Sequence, residues 1–165
     1  MNTKPQTEQT KGNNLVLDEK DLDILKLLQE NAKLTIREIA NTVHLSPTPT
    51  HERIKRLERE GIIKEYVAVL DKRKLNKGII VICKVSLKEH NKEIAGAFIQ
   101  KILQFKEVIE CYNISGEFDF MLKIVTGSME AYHHFSIHKL GEVSGIAKTE
   151  SIFVMDTIKE TQQLL

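Results

Sequence analysis

The chain has 165 residues, enough for one medium domain or two small ones, and its formal net charge of +1 excludes an overall field drawing it to nucleic acid or to a membrane. The charge is uneven: residues 1–77 hold 15 Lys and Arg against 12 Asp and Glu, net +3, and residues 78–165 hold 9 against 11, net −2. The basic half is therefore the N-terminal one.

The start, Met1 to Asn14, is rich in Thr, Gln, Lys and Asn and lacks the apolar core of a signal peptide. No apolar run reaches the length of a membrane span. These features predict a soluble cytoplasmic protein with a disordered tail over residues 1–16. Cys83 and Cys111 stand alone, each in an apolar strand-like run, which predicts buried free thiols in a reducing compartment.

Leu17-Asp18-Glu19-Lys20-Asp21-Leu22 reads as a helix start, with Asp18 as cap and acids in the first turn. Leu22, Leu25, Leu28 and Ala32 form the apolar stripe of that helix. Thr35 and Glu38 then have the spacing of a capping box, opening a short helix from Ile36 to about Val43. After a tight link, His44-Leu45-Ser46, a third helix runs toward Gly61, which supplies the left-handed residue that ends it. Ser46 is a suitable N-cap able to reach only the N–H of Thr48, because Pro47 and Pro49 occupy the first turn. At 100° per residue, Thr50, Ile54 and Leu57 share one face of this helix. Thr48, Glu52, Lys55, Arg56 and Arg59 share the opposite face, with His51 and Arg53 on the flanks. Glu52 stands one turn before Arg56, spaced to pair with it.

Two short helices joined by a three-residue link and preceded by a third form the helix-turn-helix pattern, whose second helix enters the major groove of double-stranded DNA. Here that helix carries the cations. Ile62–Asp71 is rich in β-branched and aromatic residues and predicts a small wing or connecting strand. The first domain thus spans 17–71, and the basic, Gly-ended stretch 72–78 is a hinge.

The rest of the chain, 79–160, alternates. Ile79–Lys88 reads as a strand with Ile79, Val81, Cys83, Val85 and Leu87 on one face. Lys92–Phe105 is a helix with Ile94, Phe98, Ile102 and Phe105 on its stripe. Val108–Ser115, a turn at Gly116-Glu117, and Phe118–Val125 form a hairpin. A helix over Ser128–Leu140 and a strand within Gly145–Lys159 complete β-α-β-β-α-β, the ferredoxin-like split unit. The chain is accordingly α+β. Ile80, Ile82, Met121, Val125, Ile152 and Val154 would leave the other sheet face partly apolar, and a second subunit is its simplest cover.

Three separated motifs carry a resemblance. L-S-P-T-P-T-H-E-R-I-K-R-L-E-R-E-G-I-I (45–63), L-D-E-K-D-L-D-I-L-K-L-L-Q-E-N-A (17–32) and I-S-G-E-F-D-F (114–120) resemble segments of the leucine-responsive/asparagine-regulator (Lrp/AsnC) family of transcription regulators, closest to its leucine-responsive branch. The resemblance implies a winged helix-turn-helix domain followed by a ferredoxin-like domain of the RAM type (regulation of amino-acid metabolism). It implies homodimers assembling to octamers, and a small amino-acid effector such as leucine bound between dimers. On this resemblance the DNA reader runs from about Ile36 to Lys55 and includes Ser46, Thr48, Thr50, His51, Glu52, Arg53 and Lys55, with Arg56 and Arg59 as phosphate contacts. The effector site takes the Gly116–Asp119 hairpin, with Asp119 near the ligand amine, and Asn113, Met129, Ile152, Phe153 and Val154 match positions linked to effector response. A zwitterion needs a carboxylate for its ammonium and N–H groups for its carboxylate, and a Gly-containing hairpin beside an Asp supplies both.

His134 and His138 are spaced i,i+4 beside His133, yet no third ligand accompanies them and no metal site is expected. No Ser-His-Asp spacing, phosphate loop or paired catalytic carboxylate is present, so the chain reads as a regulator and not an enzyme. The competing reading is an amino-acid-binding assembly module whose helical domain never touches DNA.

Overall fold

A computed structural model describes residues 16–165; the expected disordered tail over 1–16 lies, except for Val16, outside the described residues. The chain divides into two compact units, residues up to Ala68 together with Glu160–Leu165, and Val69–Lys159.

Unit one is three helices: α1 (Glu19–Glu30), α2 (Ile36–Val43) and α3 (Pro47–Arg59). Their starts are set by polar side chains that satisfy orphan N–H groups. Asp18 accepts from the Asp21 N–H at 2.8 Å while Asp21 accepts from the Asp18 N–H at 3.1 Å. Thr35 and Glu38 form the second reciprocal box. Ile24, Leu25, Ile39, Val43, Ile54 and Leu57 close a small core, with Leu17, Leu28, Leu34 and Leu45 against it. The Gln29 side chain of α1 accepts from the backbone N–H groups of Leu164 and Leu165 and donates to the Gln162 carbonyl, fastening the C-terminal residues to this unit.

Two local expectations need correction. Ser46 makes no side-chain cap; its carbonyl instead accepts from the Thr50 hydroxyl at 3.0 Å. The two prolines leave that first turn few donors to cap, so the helix begins on proline geometry. Ile62–Asp71, expected as a strand, joins no sheet among the described residues. A strand needs a ladder partner, and unit one offers none among its described residues. Val67, Val69 and Leu70 are left exposed.

Unit two is a four-stranded antiparallel sheet in the order β2-β3-β1-β4, built from β1 (Ile79–Leu87), β2 (Val108–Asn113), β3 (Phe120–Thr126) and β4 (Ile146–Phe153). The helices α4 (Lys92–Ile102) and α5 (Met129–Phe135) pack on one face. The helix expected over Ser128–Leu140 passes from α5 into a π-helical turn, Ser136–Leu140. The inward set reads off the two-residue period: Val81, Cys83, Val85, Leu87, Phe120, Leu122 and Ile124 are buried with Phe98, Ile102, Tyr132, Phe135 and Leu140. Phe98 stacks on Phe120 with ring centroids 4.7 Å apart. On the outer face, Lys84 pairs with Glu150 and Lys123 with Glu110 among partly exposed Ile80, Ile82 and Met121. Cys83 is buried, and burial pushes its thiol pKa up. Cys111, expected buried, is exposed, because edge strand β2 has no neighbour on its far side. No helix among the described residues is long and apolar enough to cross a membrane.

Phe98 is fully buried at the centre of this face, so Phe98→Ala is expected to cost unit two about 3–5 kcal/mol. Urea unfolding followed by circular dichroism reads this directly. An unchanged midpoint contradicts the packing described.

Candidate functional site

The helix-turn-helix pair is α2, a turn at His44–Ser46, and α3. His44 takes the left-handed conformation at φ 56°, ending α2 sharply enough for α3 to leave at once. Thr50, Ile54 and Leu57 are buried against the other helices, as the helical projection requires. Ser46, Thr48, His51, Glu52, Lys55 and Arg59 are exposed. Thr50, placed among the reader residues from the sequence, has no exposure and spends its hydroxyl on the Ser46 carbonyl, so it cannot reach a groove.

The arginines differ most from expectation. Arg53 does not lie idle on the flank: its Nη1 donates to Asp18 at 2.6 Å and to Asp21 at 2.7 Å. Arg56 does not pair with Glu52; its Nη2 donates to the other oxygen of Asp21. Asp18, then Asp21, hold the Arg53 guanidinium above its ordinary pKa. Sequence reading paired Arg56 within its own helix and missed the buried acid of α1. An Asp at the third position of a helix reads as a cap residue, and nothing in its spacing points 35 residues ahead. Lys55 pairs with Glu58 at 2.8 Å and Arg59 with Glu60 at 3.2 Å, both on the surface. Glu58 also accepts from the Tyr66 hydroxyl, whose pKa burial, aided by that carboxylate, pushes up to about 12.

In unit two the hairpin connection is longer than the expected two residues: β2 ends at Asn113 and β3 begins at Phe120. Gly116 sits in it at φ 119°, a conformation only glycine takes without strain. Asp119 is mostly buried. One carboxylate oxygen accepts from the Leu87 N–H at 2.7 Å, and the other is 2.9 Å from His90 Nδ1. The Asn113 side chain donates to the Asp119 carbonyl at 3.0 Å. Asn113, Gly116 and Asp119 thus share one end of the sheet, joined by His90 and Leu87, which sequence reading did not include.

Met129, Ile152, Phe153 and Val154 are not brought to that end. Phe153 pairs with Val81, whereas the Asp119 carboxylate meets Leu87, six residues further along β1. At about 3.3 Å per residue the two groups stand roughly 20 Å apart. Phe153 contacts Tyr132 edge-on at 5.1 Å, and Tyr132 hydrogen-bonds Ser151 at 2.5 Å. His134 and His138 lie 4.7 Å apart by ring centroid, and among the described residues no three His, Cys, Asp or Glu converge on a metal position.

Comparison with known proteins agrees with both units. Residues 17–64 match the winged helix-turn-helix DNA-binding model, and residues 80–164 match the Lrp/AsnC ligand binding domain. The chain is 35% identical over 147 residues to the transcriptional regulator AzlB of Bacillus subtilis, covering 89% of this chain and 94% of that one. It is 34% identical over 155 residues to the leucine-responsive regulatory protein of Haemophilus influenzae, covering 94% and 93%. Among solved structures, a transcriptional regulator of Neisseria meningitidis in complex with L-Met superposes with a TM-score of 0.87 at 35% identity, over 91% of this chain and 97% of that one. Escherichia coli AsnC gives 0.84 at 25% identity, over 90% and 98%.

The caps of α1 and α2 carry a pH dependence. Asp18 is held below its ordinary 3.8 by the Asp21 N–H and by Arg53, and Glu38 below its ordinary 4.5 by the Thr35 N–H. A depressed carboxylate stabilises the fold above its unfolded value, and the contribution disappears as pH falls through the folded value. Unit one is therefore expected to lose thermal stability progressively as pH drops below 4.5, the Glu38 reference. The double variant Asp18→Asn, Glu38→Gln should lose less over that window. An identical acid slope in differential scanning calorimetry would remove the caps as its cause.

Proposed function

Since the chain belongs to the Lrp/AsnC family of transcription regulators, with a DNA-binding helix-turn-helix domain and an amino-acid-binding domain, we propose which residues perform each task. That membership sets aside catalysis and the reading without DNA. In this assignment α3 reads the major groove of double-stranded DNA through Ser46, Thr48, His51 and Glu52, and Lys55 and Arg59 meet phosphate. The supporting observation is the burial of Thr50, Ile54 and Leu57, which turns these six side chains outward together. The work of the chain divides as 17–71 for DNA, 72–78 as hinge and 79–160 for effector and assembly, in the cytoplasm where the DNA is.

The effector is a small amino acid, leucine or a similarly apolar one such as methionine, which the Neisseria regulator holds. Asp119 accepts its ammonium. The separation of Asn113, Gly116 and Asp119 from Met129, Ile152, Phe153 and Val154 supports a site completed by more than one copy. A homodimer, assembling further to an octamer, would also give the Ile62–Asp71 segment a strand ladder and cover Ile80, Ile82 and Met121. An exposed strand-forming segment and a partly apolar sheet face are surfaces that subunits commonly close.

Fluorescence anisotropy on the chain's own upstream DNA tests the reader. Lys55→Ala with Arg59→Ala should lower the slope of log affinity against log salt by about two, near one per lost phosphate contact. An unchanged slope would remove α3 from the interface.

For the sensor, Asp119→Ala should abolish calorimetric binding of leucine or methionine and any shift they cause in DNA affinity. Its DNA binding without amino acid should stay as in the wild type. Retained effector binding would take the ammonium off Asp119.

A further inference from the structure

All four Lys and Arg of α3 are paired with acids, but the pairs are of two kinds. Lys55 and Arg59 are 60% and 69% exposed and touch Glu58 and Glu60 on the surface. Such pairs contribute little and exchange readily for phosphate. Arg53 and Arg56 are 27% and 34% exposed, and both end on Asp21, whose carboxylate has no exposure at all. Either arginine could reach outward only by leaving part of a buried negative charge unanswered, which costs far more than a surface ion pair returns. The placement is tight enough that Arg56 Nε is buried with no hydrogen-bond partner among the described residues. With Asp18 beside them, two acids and two guanidiniums form a locally neutral cluster facing α1.

We infer that Asp21 is a specificity-determining residue of DNA recognition, holding Arg53 and Arg56 away from the DNA backbone and so keeping sequence-independent binding weak. This rests on α3 being the reading helix. The physical basis is that every phosphate a cation neutralises adds to affinity for any sequence, while carrying no base information. What a regulator needs is the ratio of specific to non-specific binding. A helix with four free cations would hold any duplex. One with two withheld cations leaves relatively more of its binding to Thr48, His51 and Glu52. Asp21 is thus a positioning residue that acts through the arginines without touching DNA.

The test uses the full chain, with anisotropy over a salt series on the upstream fragment and on a random-sequence duplex. Asp21→Asn keeps the size of the side chain but removes its charge and one of its two acceptor oxygens, which releases Arg56 and loosens Arg53. With Asp18 still bonded to Arg53, it should steepen the salt slope on random duplex by at least about one and raise affinity for it severalfold at moderate salt. The ratio of specific to random binding should fall. Mere loss of structure lowers affinity and cannot steepen the slope, so a folded Asp21→Asn with an unchanged or shallower slope overturns the inference. The triple variant Asp21→Asn, Arg53→Gln, Arg56→Gln, in which only Asp18 of the cluster keeps its charge, keeps the question decidable if the single variant does not fold, with circular dichroism reporting on both. It should bind with the wild-type slope, and a slope lower by about two means that the arginines already touch phosphate and the inference is wrong. Lys55→Ala with Arg59→Ala separates the premise: if that pair alone leaves the slope unchanged, α3 is not the reader, whatever Asp21 does.

Discussion

A carboxylate removed from water must be answered by positive charge, and in unit one Asp21 is that carboxylate. It shares the capping box that starts α1, and it receives Arg53 and Arg56 from α3. One side chain therefore sets where the first helix begins and how the third is turned about its own axis. The small apolar core of Ile24, Ile39, Ile54 and Leu57 holds the helices together without direction. The charged cluster adds direction, because two guanidiniums at i,i+3 meet one buried carboxylate in few rotations of α3. The exposed face of α3 is the remainder of that choice.

Unit two is governed by register. Val81, Cys83 and Val85 lie opposite Ile124, Leu122 and Phe120, so every inward residue of the central strand meets an inward residue of its neighbour. A slip of one position would put Lys84 and Lys123 into the core. The same register sends Asp119 to the Leu87 end of β1 and Phe153 to the Val81 end. Residues that sequence motifs group together are therefore held apart by the length of a strand. Asp119 itself meets His90 from the loop before α4, which joins that loop to the end of the sheet.

How much was legible in advance follows from the range of each interaction. Asp18 with Asp21 and Thr35 with Glu38 act over three residues, so the starts of α1 and α2 could be read from spacing alone. The period of two in β1 and the succession of strands and helices along the second unit were equally plain, since periodic burial leaves its mark on neighbouring letters. Three short motifs carry the resemblance to the family in the sequence alone. What could not be read were the contacts made across the chain. Arg56 was paired with Glu52 within its helix, whereas it reaches Asp21, 35 residues earlier. Thr50 was set among the readers, although its place against the core leaves it no exposure. Ile62–Asp71 has the composition of a strand and, among the described residues, no strand beside it, because composition describes what can pair and cannot supply the partner.

The amino-acid sequence by itself determined the helices, the strands, their inward faces and the class of regulator, because caps, periodicity and short motifs are local properties. Only the tertiary structure decided which cations of α3 pair at the surface and which buried acid holds the others. It alone set the distance between Asp119 and Phe153. Ion pairs and sheet register join residues far apart in sequence, and their geometry exists only once the helices have packed and the strands have aligned.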